Sequence, residues 1–120
     1  VERSRGLGDV YKRQKYIFAA SYSQQAMGGF LKDPSSDRMA AANSLASQFG
    51  GKCEKLTFTR GVYDFIAEFD LPNFEAAASI KMVTMSSGAF TEMHILEPVD
   101  INGIAGSASK GAASYKAVGK

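Results

Sequence analysis

Glu92 and His94 stand two residues apart in a stretch, Ala89 to Leu96, whose side chains alternate as a strand's would. On one strand face they form a carboxylate–imidazole pair, the chemistry of general acid–base catalysis or of two ligands to a metal. His94 is the single histidine. A zinc or iron site would have to draw further ligands from carboxylates or a distant Cys53, so no metal is expected. The plain alternative is a solvated pair on an edge strand, where charge discourages stray strand pairing. A second constellation lies at Arg60-Gly-Val-Tyr63-Asp64. Asp64 and Arg60 could stand at a ligand mouth. Equally, the glycine could serve a turn, Tyr63 the core, and Asp64 a backbone or arginine contact.

Other chemistries have no support in the residue order. No GxxxxGK[ST], GxSxG or HExxH run occurs, which removes the motif basis for phosphate-loop, esterase and zincin activities. Cys53 is the only cysteine; it forms no intrachain disulfide and is expected as a small buried hydrophobe in a reducing cytoplasm. The five methionines fall on helix or strand positions suited to core filling. No membrane-spanning run is present. The formal charge of +2 comes entirely from the first 14 residues, and Lys15 to Lys120 is neutral. Residues 1–14 lack apolar periodicity and resemble the peptide translated from a sequencing-adapter read. They are expected to be non-native or disordered, the alternative being a natural basic arm.

The rest of the chain supplies the elements that must position these groups. Lys15 to Tyr22 is β-rich. Ser23 can cap a short helix running toward Lys32, Asp33-Pro34 breaks it, and a second helix restarts with Ser35 or Ser36 as cap. Gly50-Gly51 ends that helix in a left-handed cap. Lys52 to Thr59 alternates with Glu54, Leu56 and Phe58 on one face and Cys53, Lys55 and Thr57 on the other. A tight connection at Arg60-Gly61 leads to a strand from Val62 to Leu71. Pro72-Asn73 opens a helix apolar round most of its circumference, expected to be well buried. A strand follows from Ala89 to Leu96, with Phe90, Glu92, His94 and Leu96 sharing a face.

This βαββαβ order is an α+β, ferredoxin-like arrangement: a four-stranded antiparallel sheet in one domain over residues 15–98, with the helices on one face. The other face needs a partner, a second sheet or water. Residues 99–120, rich in Ala, Gly and Ser, form an arm or loose helix. A ligand pocket between sheet and helices would gather Tyr22, Arg38, Arg60, Tyr63, Asp64, Glu92 and His94 as binding residues, with His94 and Asp64 as the catalytic candidates.

The Gly61-x-Tyr63-Asp64 signature resembles that of the GYD-domain family, small bacterial proteins of the dimeric α/β-barrel type. So do Lys15 to Tyr22, Leu31-Lys-Asp with Arg38, Gly50-Gly51-Lys52, Leu71 to Ala77, Ser87-Gly-Ala89 and Tyr115 to Gly119. Two positions depart: Val118 replaces the family's usual proline, and His94 a small hydroxyl residue. The resemblance implies a homodimer or higher oligomer that binds a small organic molecule without a cofactor. Fold analogy adds the alternative of a cofactor-independent oxygenase or isomerase. A third reading is an RNA-binding module, because Tyr16-Ile-Phe-Ala and Arg60 to Phe65 superficially match the aromatic boxes of RNA-recognition domains. Their spacing is offset, and the neutral domain lacks a basic footprint, so no nucleic acid or membrane partner is expected.

Overall fold

The computed structural model describes residues 13–119. Strand β1 (Gln14–Tyr22) is followed by helices α1 (Gln24–Lys32) and α2 (Arg38–Gln48), strands β2 (Lys52–Phe58) and β3 (Phe65–Leu71), helix α3 (Phe74–Ser86), strand β4 (Phe90–Leu96) and helix α4 (Ile101–Ala112). The strands form one sheet in the order β2-β3-β1-β4 with every pair antiparallel. The α+β, ferredoxin-like expectation holds. The expectation for residues 1–12 lies outside the described residues. Gln14 already belongs to β1, opposite Leu71.

The helix boundaries follow local chemistry. The Ser23 hydroxyl accepts from the Ala26 amide at 3.2 Å, as the sequence suggests. α2 corrects the expectation: its cap is Asp37, not Ser35 or Ser36, with Oδ1 accepting from Ala40 at 3.0 Å. Asn73 caps α3. Gly50 and Gly88 close α2 and α3, each at φ 82°.

Tyr16, Phe18, Ala20, Phe65, Ala67, Phe69, Leu71 and Met93 build the buried core beneath the helices. Two bulges decide which residues join them. Between Cys53 and Lys55 the register with β3 shifts, so that Cys53 lies opposite Phe69 while Leu56 and Phe58 lie opposite Ala67 and Phe65. Cys53 therefore shares a face with Leu56 and Phe58, which simple alternation had assigned to opposite faces. At the far edge, Ser21 pairs with Glu92 but Tyr22 with Phe90. The extra residue, Thr91, turns Phe90 onto the core side and separates it from Glu92, His94 and Leu96.

α3 is another correction. Ala76, Ala77 and Ile80 are buried, but Met82 is 74% exposed and Phe74 and Val83 about half exposed. The helix covers the sheet with one stripe instead of being enclosed. Of the methionines, only Met93 is fully buried; Met39 and Met85 pack partly against the core, and Met27 and Met82 are exposed. Every residue of α4 is exposed. No helix among the described residues is long and apolar enough to cross a membrane.

Candidate functional site

The space between sheet and helices is a cavity of about 530 Å³. Phe18, Phe65 and Phe69 contribute from the sheet, Gly29 and Phe30 from α1, Leu45 from α2, and Ile80 and Thr84 from α3. It exists because α1 offers small residues, Ala26 and Gly29, above large sheet side chains, leaving volume that nothing fills. Tyr22 stands in this wall among aromatic rings, stacked on Phe90 with centroids 5.2 Å apart and meeting Phe30 edge-on at 5.0 Å. Burial pushes its phenol above the ordinary tyrosine value; nearby Arg38 pulls the other way and Asp64 adds to the rise. Arg38, Asp33 and Ser36 are the polar contributors from the α1–α2 junction.

The sequence-derived residues divide between two places. Tyr22 and Arg38 line the cavity. His94 does not: it pairs with Ala19 on the sheet face away from the helices. There its Nε2 lies 3.1 Å from Glu92 Oε1, and the Tyr63 ring meets it edge-on at 5.6 Å. The other Glu92 oxygen accepts from Ser21 Oγ at 3.4 Å. The imidazole is half exposed. Glu92, His94 and Tyr63 are therefore a surface cluster with no access to the cavity, and the single gathered site is replaced by two faces of one sheet. Arg60 is exposed in the connection 59–64. No group of three or more metal-ligating side chains occurs among the described residues.

The signature residues have a local explanation. β3 starts at Phe65, three residues later than alternation suggests, so the Tyr22 amide on β1 has no strand partner on that side. Asp64 Oδ2 takes its hydrogen bond at 2.8 Å, and the Asp64 amide donates to the Ala20 carbonyl at 2.9 Å. The connection is closed by Thr59, whose amide donates to Asp64 O at 2.8 Å and whose hydroxyl donates to Tyr63 O at 2.6 Å. Gly61 has φ 130°, a conformation L side chains rarely adopt, with open space where a Cβ would stand. Gly61→Val is thus expected to cost about 1–3 kcal/mol through backbone strain. Asp64→Ala should cost about 1–3 kcal/mol by stranding the Tyr22 amide, whereas Asp64→Asn, which keeps an acceptor, should cost less than either. Urea melts of the three variants check this order; an Asn variant as damaged as the Ala variant would mean that the charge matters.

Phe30, Leu45 and Thr84 were not among the sequence-derived site residues. The signal available was a mismatch of volume, since Gly28-Gly29 beside a β-rich aromatic strand leaves space that another element's side chains must border. Cys53 is buried, its thiol raised by burial and lying 3.6 Å from the Lys55 carbonyl, as suits a packing residue.

No curated protein and no solved structure matches the chain. The family model described as GYD domain matches residues 16–105. That span runs from β1 through the cavity-forming helices and the Gly61-x-Tyr63-Asp64 connection into α4, and the chain belongs to the GYD domain family.

Proposed function

We propose that this protein is a homo-oligomeric binding domain for a small organic molecule held between sheet and helices. The observation that carries it is the cavity itself: about 530 Å³, within the roughly 300–1,000 Å³ usual for ligand pockets, and mostly apolar with a few polar groups in its lining. Binding is favoured over turnover by the lining. The imidazole faces away from the cavity, and the Asp64 carboxylate is engaged with the Tyr22 amide. The sheet aromatics that an RNA-recognition domain would expose, Tyr16 and Phe18 among them, are buried on the helix side, which speaks against RNA. Self-association through the open sheet face fits its partly exposed Ile17, Ile66 and half-exposed Leu96. A reducing cytoplasm suits the lone thiol.

One purified sample tests both parts. Screening a metabolite panel by thermal melting should find a stabilising compound, and Ala41→Phe, which fills the cavity from α2, should abolish that stabilisation while the fold persists. Stabilisation unchanged in Ala41→Phe would move the site elsewhere. Light scattering at micromolar concentration should report a dimer or larger species; a monomer would remove the oligomer from the proposal.

A further inference from the structure

We infer that the ligand is an amphipathic organic anion, its apolar body against the cavity's rings and a single carboxylate or enolate held by the Arg38 guanidinium and the Tyr22 hydroxyl. This rests on the binding reading above and deepens it. Among the described residues, Arg38 is the only cationic side chain lining the cavity. Its hydrogen bond is to Ser36 Oγ at 3.1 Å, and no carboxylate ion-pairs with it among the described residues. A planar fork with five donors is thus left mostly unengaged, in the geometry that matches a carboxylate.

Its position also argues for a role beyond stability. Arg38 is the first residue of α2, an end where the helix dipole disfavours a cation; the neighbouring Asp37 carboxylate is engaged as the helix cap, accepting from the Ala40 amide at 3.0 Å, and makes no ion pair with it. Tyr22 offers the second donor. Its hydroxyl makes no hydrogen bond to another described residue and, as a neutral phenol, is free to donate. Asp33 is the opposing charge at the cavity. It is exposed and its Oδ1 accepts from Ser35 Oγ at 3.2 Å. If the balance favoured Asp33, the cavity would prefer a cation.

Calorimetry on the full chain with phenylbutyrate, phenylbutyramide and phenylbutylamine separates these cases, since the three share a body and differ in charge. The carboxylate should bind about tenfold or more tighter than the amide, as expected for charge-assisted hydrogen bonds. Arg38→Gln should erase that preference by weakening the carboxylate about tenfold while the amide loses far less, and Tyr22→Phe should reduce carboxylate affinity several-fold. Arg38 is exposed, so its variant should melt like the parent, which the same samples verify. Amide binding as tight as the carboxylate, or tighter amine binding, overturns the anion inference. If Ala41→Phe still abolishes binding in that case, the cavity reading survives. Failure of all three probes overturns the inference, while the metabolite panel decides the cavity reading separately.

Discussion

Gly51→Ala is expected to destabilise the domain by about 3 kcal/mol or more, the upper end of overpacking costs. A Cβ at Gly51 would stand 2.2 Å from the Asp70 carbonyl oxygen and 2.6 Å from Leu71 Cδ2. The carbonyl belongs to β3, at the centre of the sheet's pairing with both β1 and β2, and cannot retreat without breaking register. Trimming Leu71 in the same chain should therefore give no rescue, because the backbone collision remains. Gly50, one residue earlier, meets a different demand: φ 82° ends α2, and the nearest atom to its Cβ, Pro72 Cγ, is at an ordinary 3.6 Å. Chemical denaturation of the two single variants and of Gly51→Ala/Leu71→Ala distinguishes collision from conformation. A Gly51→Ala protein as stable as the parent would show that β2 starts farther from β3 than the register requires.

Ile80→Ala is expected to cost about 2–5 kcal/mol, whereas Met82→Ala should fall within about 0.5 kcal/mol of the parent. Both residues belong to the apolar run of α3, and their difference lies in what each touches. Ile80 is 2% exposed, packed on the sheet and bordering the cavity, whereas Met82 points away at 74% exposure. Thr84, one turn on from Ile80, bonds back to the Ile80 carbonyl at 2.8 Å and reaches Met93 Sδ on β4 at 3.3 Å, so this stripe also ties the helix to the sheet edge. Denaturant midpoints at constant slope measure the pair. Equal losses would mean that α3 is enclosed on both sides, as its composition alone implies. If oligomerisation covers Met82, its cost should rise with protein concentration.

The sequence by itself determined the element order, most of the helix ends and the family. Those features are written in local chemistry: Ser23 and Asn73 accept the first free amides of their helices, Gly50 and Gly88 take the φ that ends one, and the alternation in β3 survives unbroken from Phe65 to Leu71. The tertiary structure alone decided which face each chemical group meets. Alternation predicts parity only until a strand gains an extra residue, and the bulges at Cys53–Lys55 and near Thr91 arise from pairing with neighbours far away in the chain. They bring Cys53 and Phe90 to the core side. The register of β4 against β1 leaves His94 on the open face, so the imidazole and Tyr22 occupy opposite sides of one sheet. The cavity, too, is a property of summed volumes across three helices and a sheet. No window of sequence holds that sum, because whether Gly29 and Ala26 leave a void depends on the side chains that α2 and α3 bring against it.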